Sequence, residues 1–333
     1  MAIWLKALGA EVSGYALDPE SDSSLFEKTS LREAINDYRG DIRDYEKLQS
    51  LINKEQPEII FHLAAQALVI DGYKNPLETF DVNVQGTATV LEIVRKNDCI
   101  KKCICITTDK VYHNNEWIWP YRESDRLGGY DPYSASKAAA ELIIDSYRNS
   151  FFNNKDYDEH GKSIASVRAG NVIGGGDWSP NRIVPDCLNA LMSEETINVR
   201  NPYAVRPWQH VLEPLGGYLL LGVKMNEDPV KFNESWNFGP EAENIVNVQV
   251  LVDKIIEKFG SGNWKDCSDP NALHEATLLS LDINKAKTAL AWKPMLNFDT
   301  TIEFTVKWYK SYIEEGAEAL CESQIQKYTQ LCK

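Results

Sequence analysis

The segment YSASK, residues 133–137, places a tyrosine and a lysine four positions apart. On a helix, Tyr133 and Lys137 would share one face. An ammonium group beside a phenol favours the phenolate and lowers the pKa of tyrosine, so Tyr133 would act as a base near neutral pH. The pair alone is a weak signal, because most such pairs on helices only pack at the surface.

A second reactive group follows an apolar segment, in TTDKVY at residues 107–112. Catalytic side chains collect at the carboxyl ends of parallel strands, which favours Thr108, Asp109 and Lys110 as candidates. An adjacent Asp-Lys is far more often a solvated pair, and neighbours on an extended strand point to opposite faces. A catalytic role therefore requires the chain to bend directly after Thr108.

The elements that would position these residues alternate between strand and helix along the first two-thirds of the chain. Near-continuous apolar runs predict buried strands, and apolar residues at helical spacing predict helices. Strands are predicted at 57–64, 101–108 and 163–168, and helices at 83–97 and 133–148. This alternation predicts an α/β fold with a doubly wound parallel sheet and right-handed crossovers.

The first residues, MAIWLKALGAEVSGYALD, have the pattern of a helix that ends at Gly9 and a strand from Ala10 to Leu17. A helix feeding a strand that ends at Asp18 is the second half of a nucleotide-binding βαβ unit. We expect a Rossmann-like domain over residues 1–173, truncated at its first strand and glycine-rich phosphate turn. The expected start therefore lies roughly 20 residues upstream of Met1.

From about Gly174 the composition changes to loops rich in proline, aromatic residues and arginine. A short strand and turn is predicted at 235–240, and amphipathic helices at 246–259 and 300–315. Residues 174–320 are predicted to form a smaller C-terminal α/β lobe that binds substrate over the carboxyl edge of the sheet. Some of its segments are expected to return to the sheet.

The composition narrows the class of protein. The net charge of −14 argues against a general nucleic-acid binder, because neutralising phosphates needs a basic surface. Seven cysteines without a CxxC pair fit a reducing cytoplasm, and five scattered histidines make a metal site unexpected. No apolar run reaches the roughly 18 residues that a membrane span requires.

Several motifs together resemble the extended short-chain dehydrogenase/reductases of the NAD-dependent epimerase/dehydratase family. They are HLAAQ at 62–66, NVQGT at 83–87, TTDKVY at 107–112, YSASK at 133–137 and RAGNVIGGGDW at 168–178. Within this family, the TDK triplet, RNPYAVRPWQHVLEP at 200–214 and LHEA at 273–276 are similar to the branch that dehydrates a CDP-linked hexose. The resemblance runs from residue 1 to about residue 310.

The resemblance implies a hydro-lyase that converts CDP-glucose to a 4-keto-6-deoxy sugar, with NAD as a temporary hydride store. Tyr133, assisted by Lys137, would take the C4 hydroxyl proton, and Thr108 would hydrogen-bond that hydroxyl. Asp109 would be the acid at the C6 hydroxyl, and Lys110 the base at C5. These roles require desolvation to keep Asp109 protonated, and desolvation together with the neighbouring positive field to keep Lys110 neutral. The implied pathway is deoxysugar biosynthesis for the lipopolysaccharide O-antigen.

The resemblance also assigns binding residues. The NAD contacts would be Asp18 at the adenosine ribose, Asp41 and Ile42 beside the adenine, Ala64, Ala65 and Gln66 along the pyrophosphate and ribose, and Tyr133 and Lys137 at the nicotinamide ribose. Asp18 would favour NAD over NADP, because its carboxylate suits a ribose hydroxyl. The substrate contacts would be Asn171, Arg182 and Arg206 at the pyrophosphate and His274 at the nucleotide.

The chain departs from the family pattern in QALVIDGY, residues 66–73, where an arginine and often a serine are usual between Ile70 and Gly72. Loss of that positive group, with Asp71 nearby, either weakens a phosphate contact or is tolerated in a loop. Two other hypotheses stay open: a nucleotide-sugar epimerase or dehydratase with another substrate, and a non-catalytic remnant. The helices at 83–97 and 133–148 are expected to pair across the interface of a homodimer or a dimer of dimers.

Overall fold

The computed structural model describes residues 1–19, 21–269 and 278–332. The helices are α1 (Ala2–Ala7), α2 (Leu31–Ala34), α3 (Tyr45–Glu55), α4 (Val69–Lys74), α5 (Pro76–Phe80), α6 (Gly86–Lys96), α7 (Pro132–Ser150), α8 (Tyr157–His160), α9 (Ile183–Met192), α10 (Leu212–Glu227), α11 (Val248–Phe259), α12 (Phe298–Glu315) and α13 (Ala317–Leu331). The strands are β1 (Ser13–Ala16), β2 (Asn36–Arg39), β3 (Ile59–His62), β4 (Lys102–Ile106), β5 (Ser163–Ala169), β6 (Val172–Ile173), β7 (Ile197–Val199), β8 (Val205–Pro207), β9 (Gln209–His210), β10 (Ser235–Phe238), β11 (Ile245–Asn247) and β12 (Trp264–Asp266).

Parallel strands form the central layer of the protein, as the sequence predicts. Four of them pair in the order β10-β5-β4-β3, and β1 pairs in parallel with β2 in a separate two-stranded sheet. In the part of the chain that the structure describes, no strand joins β1 to β3. In the doubly wound order, the first strand lies between the counterparts of these two. The α/β parallel-sheet class is confirmed.

The four-stranded sheet is covered on both faces. Cys103 and Cys105 of β4 pack with Ile93 of α6 and Ile144 of α7, whereas Ile104 packs with residues of α10 on the opposite face. Successive strand residues point to opposite faces, which explains this division. The two cysteines are fully buried free thiols and fill the core as small apolar residues.

The helices α6 and α7 confirm the predicted helical segments, and a buried lysine fixes the end of α6. Lys162 lies just before β5, and its Nζ donates to the carbonyl oxygens of Val94 at 2.6 Å and Asn97 at 2.9 Å. The last carbonyl groups of a helix have no partner within the helix. Lys162 therefore connects the end of α6 to the start of β5.

The second half of the chain contributes both to the sheet and to a core of its own. β10 extends the sheet beside β5, and α10 covers the sheet face. The predicted helices at 246–259 and 300–315 form as α11 and α12, which share a separate apolar cluster with α9. Glu213 of α10 accepts hydrogen bonds from Leu296 N and Tyr328 Oη, which ties α13 to α10. Within the described ranges, no helix has both the length and the apolar character to cross a membrane.

Candidate active site

The tyrosine and lysine of YSASK occupy the first turns of α7. Asp131 caps this helix, because its carboxylate accepts from Ser134 N at 3.0 Å, and Pro132 stands at the first helical position. Tyr133 and Lys137 are 8% and 5% exposed, so the pair is buried rather than part of the surface. The surface-packing alternative for this pair is thereby excluded.

The predicted lowering of the Tyr133 pKa by Lys137 is wrong. Burial raises the pKa of Tyr133 to about 12, although a hydrogen bond with Thr108 and the charge of Arg182 act in the opposite direction. Burial also lowers the pKa of Lys137 to about 8. The Nζ of Lys137 donates to Ile106 O at 3.2 Å, at the end of β4. A phenolate at neutral pH therefore requires further positive charge beside Tyr133.

The chain bends directly after Thr108, as a catalytic role for the next residues requires. Residues Asp109–Val111 form a 3₁₀ turn, and Thr108 caps it. The Thr108 Oγ1 accepts from Lys110 N at 3.3 Å and donates to Asp109 Oδ1 at 3.0 Å. The turn thus releases Asp109 and Lys110 from the alternation of a strand.

Asp109 is buried against the carboxyl end of β5. The carboxyl is 2% exposed, and a Cβ atom added at Gly170 would lie 1.8 Å from Asp109 Oδ2. Asn171, with a φ of 49°, donates its amide to the same oxygen at 3.4 Å. Burial raises the pKa of Asp109, against the opposing charges of Lys110 and Arg206. The predicted upward shift of the Asp109 pKa is confirmed in direction and cause.

The predicted substrate arginines come from two different elements. Arg182 immediately precedes α9, and its Nη1 donates to Asp177 Oδ2 at 3.3 Å. Arg206 lies in β8, and its Nη1 donates to the carbonyl oxygen of Val205 at 2.9 Å. The charge of Arg182 lowers the pKa of Tyr133, and the charge of Arg206 lowers that of Asp109. Both guanidinium groups therefore lie near these two buried side chains. His274 and the LHEA motif lie outside the described residues.

The segment Ala64, Ala65 and Gln66 follows β3 at the same edge of the sheet. Asn83 fixes it: its Oδ1 accepts from Gln66 N at 2.9 Å, and its Nδ2 donates to Gln66 O at 2.9 Å and to Ser136 Oγ at 2.8 Å. The buried Oε1 of Gln66 has no protein hydrogen-bond donor. Such an acceptor suits a ribose hydroxyl, so this edge of the sheet fits the nicotinamide half of a dinucleotide.

The residues expected around the adenosine lie farther along the edge. Asp18 is exposed after β1. Asp41 accepts from Arg43 Nε at 2.9 Å, and this hydrogen bond holds the pKa of the carboxyl below its usual value. Ile42 packs against α6, where a Cβ atom at Gly86 would lie 2.7 Å from Ile42 Cγ2. The Ile42 side chain therefore approaches α6 more closely than any residue larger than glycine at position 86 would allow.

The divergent segment at residues 66–73 forms part of a helix rather than a loop. Val69–Lys74 is α4, and Asp71 pairs with Lys74 at 3.6 Å. A Cβ atom at Gly72 would lie 3.2 Å from Tyr133 N, so α4 packs directly on the start of α7. Any effect of this segment therefore acts beside Tyr133.

Comparison with known proteins agrees with this geometry. A family model described as GDP-mannose 4,6 dehydratase matches residues 22–305. A CDP-glucose 4,6-dehydratase of Salmonella typhimurium is 45% identical over 324 residues, covering 97% of this chain and 90% of that protein. The range that the family model matches spans residues 108–137, where the predicted catalytic residues lie.

Solved structures show the same fold. A dTDP-glucose 4,6-dehydratase of Bacillus anthracis in complex with NAD superimposes with a TM-score of 0.76 at 22% identity, covering 93% of this chain and 91% of that one. The UDP-glucose 4-epimerase of Thermotoga maritima gives 0.78 at 21% identity, covering 93% and 94%. The family model and the 45% identity together show that this chain belongs to the GDP-mannose 4,6 dehydratase family.

Proposed function

We propose that this protein is an NAD-dependent hydro-lyase that converts CDP-glucose to CDP-4-keto-6-deoxyglucose and water. The carrying observation is the capped turn after β4, which places a buried acid, Asp109, beside Tyr133 and next to Lys110. An epimerase inverts C4 and needs no acid and base at C6 and C5, so this turn favours dehydration. The 45% identical relative supports CDP-glucose as the substrate.

Each catalytic side chain has one proton to hold or move. Tyr133 removes the proton of the C4 hydroxyl, Thr108 hydrogen-bonds that hydroxyl, and Lys137 holds the end of β4 through Ile106 O. When bound, NAD would supply the hydride acceptor for C4 and the hydride donor for C6. The fit of NAD rests on the buried Gln66 Oε1 and on the Tyr133–Lys137 pair.

The elimination step uses the turn residues. The 4-ketone acidifies the C5 proton, which passes to the Lys110 amine. Asp109 donates its proton to the C6 oxygen, which leaves as water while a C5–C6 double bond forms. Burial of Asp109 raises its pKa and thereby keeps more of the carboxyl protonated at neutral pH.

Binding of the substrate pyrophosphate falls to Arg182, Arg206 and Asn171, and contact with the nucleotide to His274. A guanidinium group can donate two parallel hydrogen bonds to phosphate oxygens. The charge of Arg182 acts on Tyr133 and that of Arg206 on Asp109, so both arginines lie near the proposed reaction site. For NAD, the adenosine contacts are Asp18, Asp41 and Ile42, and the central contacts are Ala64, Ala65 and Gln66. Residues 1–173 would then be the NAD-binding domain and residues 174–320 the substrate-binding lobe.

The assembly we propose is a homodimer, or a dimer of such dimers, formed through α6 and α7. Leu142 of α7 is 60% exposed, and Phe151, the first residue after α7, is 46% exposed. Exposed apolar side chains of this kind could pack against a helix of a partner subunit. The acidic composition and the free thiols fit a cytoplasmic enzyme. Its product would enter deoxysugar biosynthesis for the O-antigen.

The test incubates the purified protein with CDP-glucose and NAD, and follows the product by mass spectrometry. Loss of one water from the sugar, abolished in Asp109→Asn and Lys110→Met, supports the proposal. Lys101→Met is the matched control, because this lysine is exposed just before the same strand. An isomer of CDP-glucose without loss of water, or turnover of another sugar nucleotide only, would overturn it in favour of an epimerase or a different substrate. No turnover together with no measurable NAD binding would support the non-catalytic hypothesis.

A further inference from the structure

A buried ion pair lies directly behind residues 108–111, which we call the catalytic turn because they include Thr108, Asp109 and Lys110. Glu141 stands one helical turn beyond Lys137 on the same face of α7, and Arg168 is near the end of β5. Arg168 Nε donates to Glu141 Oε1 at 3.0 Å, and Nη2 donates to Oε2 at 2.8 Å. The side chains are 3% and 2% exposed, so this two-bond contact is shielded from solvent. Such a pair has a fixed geometry as well as a charge.

The Glu141–Arg168 pair is hydrogen-bonded to both ends of the catalytic turn. Thr107, immediately before the turn, donates from Oγ1 to Glu141 Oε1 at 2.6 Å. Tyr112, immediately after it, accepts at its hydroxyl from Arg168 Nη1 at 2.7 Å. The four residues between these two anchors include Thr108, Asp109 and Lys110. The ends of the turn are thus held by one rigid unit.

The anchoring hydrogen bonds are themselves supported. Tyr112 donates its hydroxyl proton to Asn237 Oδ1 of β10 at 2.7 Å, and the Arg168 guanidinium lies over its ring, 5.0 Å from the centroid. Burial would raise the pKa of Glu141, but Arg168 and the hydrogen bonds from Thr107 and Ser166 outweigh it and hold the pKa below its usual value. Glu141 therefore stays charged at neutral pH.

We infer that Glu141 and Arg168 are positioning residues for dehydration, acting through Thr107 and Tyr112 to hold Asp109 and Lys110 at the reacting carbons. The inference rests on the proposed function, since it assigns those two residues their roles. A displacement near 1 Å of a catalytic group costs on the order of 100-fold in rate. Loosening either anchor is expected to slow the chemical step while substrate binding, which we assign to other elements, is retained.

The variant Thr107→Val removes one anchor with little change of shape. We expect kcat to fall about 10- to 100-fold with KM for CDP-glucose within about twofold, and Thr107→Ser to restore kcat because it keeps the hydroxyl. Ser166→Ala is the matched control: Ser166 is also buried and donates to Glu141 Oε2 at 2.8 Å, but it lies within β5 and not beside the turn. Its kcat should stay within about twofold of the unmodified protein. Tyr112→Phe tests the second anchor in the same assay.

Hydrogen–deuterium exchange gives a readout that does not depend on the substrate. The peptide spanning residues 107–112 should exchange faster in Thr107→Val and Tyr112→Phe than in Ser166→Ala. Equal kcat and equal exchange in Thr107→Val and Ser166→Ala, or a kcat loss in Thr107→Val that Thr107→Ser fails to restore, would overturn the positioning role. If the unmodified protein does not dehydrate CDP-glucose, the proposed function fails, and the exchange comparison alone decides whether the ion pair holds the turn.

Discussion

Replacing Gly170 by alanine should displace Asp109, the acid of the proposed mechanism, without removing its carboxyl group. The new Cβ atom would lie 1.8 Å from Asp109 Oδ2 and 2.0 Å from its Cγ. Non-bonded heavy atoms are most favourable near 3.5 Å apart, so the Asp109 carboxyl has to move by about 1.5 Å. Because Asp109 is 2% exposed, it has little room to move without leaving its buried position.

Two consequences follow for the rate. A shift of this size misplaces the proton donor, which costs about 100-fold in kcat. A carboxyl that moves toward solvent also loses the burial that raises its pKa, so a smaller fraction is protonated at neutral pH. We expect kcat for CDP-glucose dehydration to fall at least 100-fold with KM little changed, and the protein to lose about 1–3 kcal/mol of unfolding free energy by overpacking.

The assay measures kcat and KM by product formation and unfolding by urea titration. Gly239→Ala is the matched control, because Gly239 is also buried and also directly follows a strand of the same sheet, β10. A Cβ atom there would lie 3.5 Å from the nearest side-chain atoms, an ordinary contact. A Gly170→Ala protein with kcat close to that of Gly239→Ala would refute the argument that Gly170 sets the position of Asp109.

Three further predictions concern buried polar groups. Burial and the charge of Lys137 lower the pKa of His62 to about 3, so His62 binds a proton more readily in the unfolded protein, and its contribution to stability is complete above pH 6.5 and is lost as the pH falls. The variant His62→Gln should therefore reduce the decline of unfolding free energy between pH 6.5 and 4.5 by about 1.4 kcal/mol per pH unit. An unchanged slope in urea titrations across this pH range would contradict the prediction. The variant Tyr328→Phe removes a hydrogen-bond donor from the buried Glu213 carboxylate and should lower the unfolding free energy in urea by about 1–3 kcal/mol with kcat unchanged. The control Tyr203→Phe, at a 68% exposed site, should lower it little. Equal losses in the two variants would refute the role of the hydrogen bond. Lys162→Met leaves the carbonyls at the end of α6 without their donor and should likewise cost about 1–3 kcal/mol, with the exposed Lys101→Met as control and equal melting temperatures as the contrary result.

The local elements could be predicted because each depends on short-range pattern. The apolar run of β4 and the helical spacing of α7 are visible within a dozen residues, and the requirement for a bend after Thr108 follows from strand alternation alone. The presence of β10 was also predictable, but its place beside β5 was not. That place depends on pairing between segments far apart in the chain.

The parts of the site that could not be predicted depend on burial and on distant contacts. The contact of Gly170 with Asp109 joins two strand ends, and nothing in either local segment encodes it. The pKa of Tyr133 was predicted in the wrong direction because local spacing shows the nearby lysine but not the desolvation. One signal for the buried network was available: after Ser163, the polar residues of β5 are Ser166 and Arg168 at alternate positions, which requires a buried polar partner on that face.

Asp109 and Tyr133, which we propose as the acid and as the base at the C4 hydroxyl, are both buried but need opposite pKa shifts. Burial helps the acid, because it raises the pKa of Asp109, and opposes the base, because it raises the pKa of Tyr133. The charge of ionised Asp109 raises the Tyr133 pKa further, so a protonated Asp109 removes that obstacle. The form of the acid that donates to the leaving oxygen is thus also the form that permits Tyr133 to ionise. The hydrogen bond between Thr108 and Tyr133 and the charge of Arg182 also lower the Tyr133 pKa, and this coupling explains how one buried site can serve both proposed steps.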